Sequence, residues 1–160
     1  DFREKEDVFQ RALALLSATP STLLTNIEAL RAQQMELQIA LKERTNKLAE
    51  AMAQQGVYIA EAGCVFAQLE EQDLDYVRAF SKALAKKCRV TSIVATKIPE
   101  GVFIVLDRSE KGPIDIGAVL KEVLTQTGGK GGGGPMHAEG RATELQIIDI
   151  LKQRLSVVES

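Results

Sequence analysis

Gly128-Gly129-Lys130-Gly131-Gly132-Gly133-Gly134-Pro135-Met136-His137-Ala138-Glu139-Gly140 holds seven of the chain's 12 glycines, so the backbone there is under few steric limits. Glycine admits positive φ and close backbone approach, and such a run exposes several N–H groups on one loop. Those groups form a concavity suited to phosphate, with Lys130 as the adjacent charge. Walker A is excluded, because no Gly-Lys-Ser/Thr follows at the required spacing. The Rossmann fingerprint is excluded because the element before the glycines is a helix. A flexible surface linker is the competing reading of the same glycines. The lone His137 reads either as an acid–base or phosphate-contacting group or as an exposed loop residue.

The segments on either side are regular. Asp115 can cap a helix that runs to about Thr125, with Val119, Leu120, Val123 and Leu124 as its apolar face. A last helix, about Ala142 to Val157, carries Leu145, Ile148, Ile150, Leu151 and Leu155. Upstream, Val90–Ile98 and the apolar run Val102–Leu106 flank Pro99-Glu100-Gly101 and read as a β-hairpin. A helix from about Leu74 to Lys87 precedes them. Glu70, Glu71, Asp73 and Asp75 lie at its start and Lys86, Lys87 and Arg89 at its end, which suits the helix dipole. Val57-Tyr58-Ile59-Ala60 and Cys64-Val65-Phe66 form a strand region broken by Gly63. The predicted order is β-α-β-β-α-Gly-loop-α over residues 56–160, an α/β (α+β) fold of about 100 residues.

Residues 1–55 are expected to form a helical hairpin or coiled-coil linker. A first helix from Asp1 to about Leu16 is interrupted by Ser17-Ala18-Thr19-Pro20-Ser21, and Ser21 or Thr22 is a natural cap for the next. From Leu23 to about Gln55 there is no Gly or Pro, and strong helix formers dominate. Ile27, Gln34, Leu41 and Leu48 fall at a positions, and Leu23, Leu30, Leu37 and Arg44 at d. The apolar members, Leu23, Ile27, Leu30, Leu37, Leu41 and Leu48, are the candidate pairing residues. Their partner is either the first helix or a second chain.

Composition narrows the function. With aromatics at 4% and no Trp, the chain offers little for base stacking. A net charge of −2 excludes a globally basic nucleic-acid binder but not a local patch. Lys86, Lys87, Arg89, Lys121, Lys130 and Arg141 are the candidates for one; the alternative is a scattered solvated surface. Cys64 and Cys88 lack chelating spacing and read as free thiols, no stretch is long and apolar enough to span a bilayer, and no signal peptide is visible. Together these predict a cytoplasmic protein without membrane contact. No nucleophile–base arrangement or paired carboxylates appear, so catalytic residues are not expected. The chain opens on Asp1 instead of Met, as expected of a fragment of a longer protein.

The glycine stretch resembles a motif near the end of alanyl-tRNA synthetases and long AlaX editing proteins: a Gly-Gly-Lys-Gly-Gly-Gly run, a basic residue, Pro, an acidic residue, any residue, Ala, Gln and small residues. The glycine run, Lys130, Pro135, Ala138 and Gly140 match. Gly134, Met136, Glu139 and Arg141 depart from it. Leu15–Leu23 and the helix after it are similar to the start of that family's coiled-coil linker, and Asp1–Lys5 to the stretch after the zinc motif of AlaX editing domains. The resemblance implies a DHH-associated domain, shared with DHH phosphoesterases. It implies a non-catalytic tRNA-binding and oligomerisation module that helps hold tRNA(Ala) and pairs with itself. Gly129, Lys130, Gly131, Gly132, Gly133, Gly134, His137, Arg141, Lys86, Lys87 and Lys121 are then the expected phosphate-contacting set. No cofactor is expected in this stretch; zinc belongs to an editing domain expected upstream, in a parent that is an editing hydrolase or synthetase relative. The alternatives are a purely structural dimerisation domain, or the substrate-binding half of a DHH phosphoesterase.

Overall fold

The computed structural model describes residues 1–56, 58–61, 63–70 and 72–156. Val57 of the expected first strand region, Glu71 of the acidic run and Val157 of the last helix lie outside the described residues. The chain divides into two compact units, Asp1–Arg44 and Thr45–Ser160.

The first unit holds α1 (Phe2–Leu15) and most of α2 (Leu23–Gln54). The Thr22 hydroxyl accepts from the Thr19 N–H at 2.9 Å, so it is turned back into the connection rather than onto the helix. α1 and α2 meet near that connection, where Asn26 Nδ2 donates to the Leu16 carbonyl at 3.4 Å and Leu13 is buried. Further out Phe2 and Val8 are exposed on α1, as are Leu30, Leu37 and Leu41 on α2. The intrachain hairpin therefore covers only the start of the α2 stripe, at the half-buried Leu23 and Ile27.

In the second unit β1 (Ile59–Glu61), β2 (Cys64–Leu69), β3 (Thr91–Ile98), β4 (Gly101–Asp107), β5 (Lys130–Gly133) and β6 (His137–Ala142) form one sheet, ordered β1-β2-β3-β4-β6-β5. β2 and β3 are parallel, joined through α3 (Leu74–Cys88); the other neighbours are antiparallel. α4 (Ile116–Thr127) and α5 (Ile147–Ser156) cover the opposite face to α3. Strand alternation sends Ile93, Ile104 and Leu106 into the α4–α5 core, and Val65, Val94, Phe103 and Val105 into the α3 core. Ala49 and Ala53, from the last turns of α2, join the second core. Each large aliphatic side chain so buried contributes about 1.5–3 kcal/mol. Lys87 Nζ donates to the carbonyls of Ala53 and Gln54 at 2.9 and 3.1 Å, where the negative end of the α2 dipole favours a cation.

The caps follow the sequence. Asp73 accepts from the amides of Asp75 and Tyr76, and Asp115 from that of Ala118 at 3.0 Å. Two expectations change. The glycine stretch is a β-hairpin, β5–β6, instead of a loop, and the last helix begins at Ile147 because Ala142 is the end of β6. The reason for the first is close packing. A Cβ on Gly117, in the first turn of α4, would come within 2.5 Å of the Gly133 carbonyl group, and Gly117 N–H donates to Gly134 O at 3.1 Å. A Cβ on Gly131 would run into the Cα of Gly140, and one on Gly140 into Leu124. Only glycines let the helix rest directly on the hairpin.

Gly117→Ala should therefore destabilise the chain by about 1–3 kcal/mol, since the obstructing atoms are backbone. Gly134→Ala should be near neutral, because nothing lies within 4 Å of a Cβ there. Urea unfolding midpoints of the two variants test this; equal midpoints would remove the steric account.

Candidate functional site

Cross-strand register sorts the hairpin's residues by face. On β6, Ala138, Gly140 and Ala142 point at α4, so His137, Glu139 and Arg141 project from the α3 side. On β5, Lys130 stands opposite Arg141 and Gly132 opposite Glu139, which places both on that same side. Gly132, with φ +156°, and Gly134 have nothing within 4 Å of a would-be Cβ. The α3 face of the hairpin is thus an open stretch of backbone bordered by Lys130, Arg141, Glu139 and His137.

Neighbouring elements then pair these charges. Arg78, on α3, grips the Glu139 carboxylate with both arms, Nε to Oε2 at 2.7 Å and Nη2 to Oε1 at 3.0 Å. Its Nη1 donates to Asp75 at 2.8 Å, and its guanidinium lies 5.4 Å from the Phe103 ring centroid. Asp107 ends β4 directly opposite His137, whose Nδ1 shares a hydrogen bond of 2.9 Å with Asp107 Oδ1. The imidazole is half exposed, and its Nε2 is 3.8 Å from Glu139 Oε2. Arg141 faces Glu100 at 3.5 Å. The Arg78 fork holds the Glu139 carboxyl below its ordinary value, and Glu139 in turn raises the Arg78 guanidinium. Burial pushes the Asp107 carboxyl up, against the opposing effect of His137. Asp107 Oδ2 is buried without a hydrogen-bond partner among the described residues.

Of the phosphate-contacting set predicted from sequence, Lys130, Gly132, His137 and Arg141 share this face, while Gly134 lies past the end of β5 with its carbonyl bonded to Gly117 of α4. Gly129, Gly131 and Gly133 are turned toward α4 and Leu124 or against β6, so their role is packing. Lys121 is exposed on α4, across the sheet. Lys86 and Lys87 lie in the last turn of α3, two turns beyond Arg78, and Lys87 is engaged with the end of α2. Cys64 and Cys88 pack on opposite faces of the sheet. Sequence reasoning missed Arg78, Asp107 and Glu100. A visible signal existed for Asp107, a lone acid ending a buried apolar run; Arg78 had none, since it meets Glu139 across 61 residues.

A six-stranded sheet covered by helices, with an edge hairpin that bares its backbone on one face, defines a small α/β domain. Residues 61–159 match the DHHA1 domain, and the chain belongs to that family. Over 169 residues it is 28% identical to an alanine–tRNA ligase of Thermoanaerobacter sp. (strain X514), covering 95% of this chain and 19% of that protein. It is 31% identical over 142 residues to an alanine–tRNA ligase of Burkholderia mallei (strain NCTC 10229), covering 83% of this chain and 16% of that protein. The chain thus spans less than a fifth of the length of these relatives. Among solved structures it is similar to the C-Ala domain from Aquifex aeolicus alanyl-tRNA synthetase, with a TM-score of 0.54 and 18% identity over 62% of this chain and 97% of that one. An exopolyphosphatase-related protein from Bacteroides fragilis gives a TM-score of 0.51 at 12% identity, over 72% of this chain and 36% of that one. These two share the fold. No helix among the described residues is long and apolar enough to cross a membrane.

Glu139 and Asp107 make opposite contributions to acid stability. With the Glu139 carboxyl lowered on folding, its contribution is complete above about pH 4.5 and is lost as pH falls through the folded value. With the Asp107 carboxyl raised, its contribution is present in acid and lost as pH rises through the folded value. Glu139→Gln should therefore lose less stability than the parent between about pH 6 and pH 3.5, measured by urea titration. A parallel decline in both proteins would refute the assignment.

Proposed function

We propose that this chain is a non-catalytic tRNA-binding and self-pairing module of an alanyl-tRNA synthetase-like or AlaX-type alanyl-tRNA editing protein. It acts in the cytoplasm, with tRNA(Ala) as its ligand. The observation that carries this reading is the open α3 face of the β5–β6 hairpin, where bare backbone at Gly132 lies among Lys130, His137 and Arg141. It is supported by relatives named alanine–tRNA ligase that align with 95% of the chain. Such a face contacts phosphates and reads the shape of the RNA backbone, not its bases. Chemistry, and the zinc implied by the AlaX resemblance, are assigned to a partner domain of the same polypeptide. The α2 stripe of Leu30, Leu37, Leu41 and Leu48, each more than a third exposed, supports pairing of two chains, since so many leucines on one helix need a partner.

A second reading, pairing without RNA, is favoured by the ion pairs that occupy Arg78, His137 and Arg141. Anisotropy titration with labelled tRNA(Ala) separates the two. Binding at about 50 mM salt that weakens at least about tenfold by about 200 mM supports the first reading, and no binding at low salt removes it. Lys130→Gln should weaken that binding, whereas Lys121→Gln, across the sheet, should not; the reverse pattern would move the interface to α4. Sedimentation across concentration tests the rod. A monomer at every concentration would remove the self-pairing, and Leu37→Asp with Leu41→Asp should produce one.

A further inference from the structure

We propose that Arg78, His137 and Lys130, around the open backbone of Gly132, form a cradle for a backbone phosphodiester whose anion position is filled by the chain's own Glu139 carboxylate. This rests on the RNA-binding reading above and names its anion contact and its internal competitor.

The geometry of the Arg78–Glu139 pair carries the inference. Two parallel N–H···O bonds of 2.7 and 3.0 Å from one guanidinium edge are the arrangement in which arginine takes either a carboxylate or a phosphate. Arg78 is steered to that spot from two other directions, by Asp75 at 2.8 Å and by the Phe103 ring beneath it. A surface arginine tethered at three points is preorganised, and preorganisation is what a binding group needs. His137 Nε2 lies 3.8 Å from the same carboxylate, and the ring is fixed through Nδ1 by the buried Asp107. Gly132 stands directly opposite Glu139 in the register, with open space where a side chain would be. Lys130 is two residues further along the same face, and among the described residues it makes no ion pair.

Glu139 therefore sits where an incoming phosphate would meet the guanidinium fork, the imidazole and bare backbone together. It is about a third exposed, so it can swing into water when a phosphate replaces it. While in place it cancels Arg78 and faces the oncoming anion with a negative charge. Affinity at this face is set by competition between the two anions for one arginine.

Glu139→Gln removes the competitor and keeps the side-chain shape. The pair is about a third exposed, and thermal unfolding of the variant checks that its fold persists. In anisotropy titrations with labelled tRNA(Ala), Glu139→Gln should bind about tenfold tighter than the parent, and its salt slope should steepen by about 1. Adding Arg78→Gln should abolish that gain. Glu122→Gln removes the same charge from α4, where Glu122 pairs with Arg154, and should leave affinity unchanged. If the parent binds tRNA and Glu139→Gln binds no tighter, the competitor is refuted while the RNA-binding reading stands. A gain that survives Arg78→Gln, or an equal gain from Glu122→Gln, would also refute it. If neither the parent nor Glu139→Gln binds at low salt, both proposals fall.

Discussion

The backbone of α4 rests on the backbone of the β5–β6 hairpin, where Gly117 N–H donates to Gly134 O and no side chain intervenes. Much of the C-terminal unit depends on that approach. It brings Leu120 and Leu124 down onto Ala138 and Gly140, closes the α4–α5 core at that edge of the sheet, and converts a run of glycines into a strand. A glycine strand has little cross-strand side-chain packing of its own. Its order comes from the helix packed on one side and from β6 beside it, which costs α4 a bare first turn at Gly117.

The same approach decides which face is available. With α4 occupying one side of the hairpin, every outward group is on the α3 side, and β4 and α3 supply the partners that meet it there. Asp107 and Arg78 are both held by strongly packed elements, one ending a buried strand and the other over Phe103. The polar chain Asp107–His137–Glu139–Arg78–Asp75 ties three elements together. It also leaves most of the face's charges paired, which fits a net charge of −2.

The rod follows a different rule. The C-terminal end of α2 is held by Ala49, Ala53 and Lys87, while Leu30, Leu37, Leu41 and Leu48 before it are exposed. One helix thus changes character along its length, with small residues where it packs on the α3 side and exposed leucines before them.

Local rules were legible in the sequence. The spans of α3 and α4, the Asp73 and Asp115 caps and the β3–β4 hairpin depend on neighbours a few residues away, and they stand close to where periodicity and capping put them. The glycine stretch was legible as a special backbone, and Lys130, His137 and Arg141 as its charged companions. Its state was not, because glycine has no side-chain preference and only a packed helix makes it a strand. The sorting of seven glycines into packed and open ones, and the meetings of Arg78 with Glu139 and Asp107 with His137, were decided by tertiary structure. Strand register and helix placement join residues 61 and 30 positions apart, and no local pattern encodes a distance of that kind.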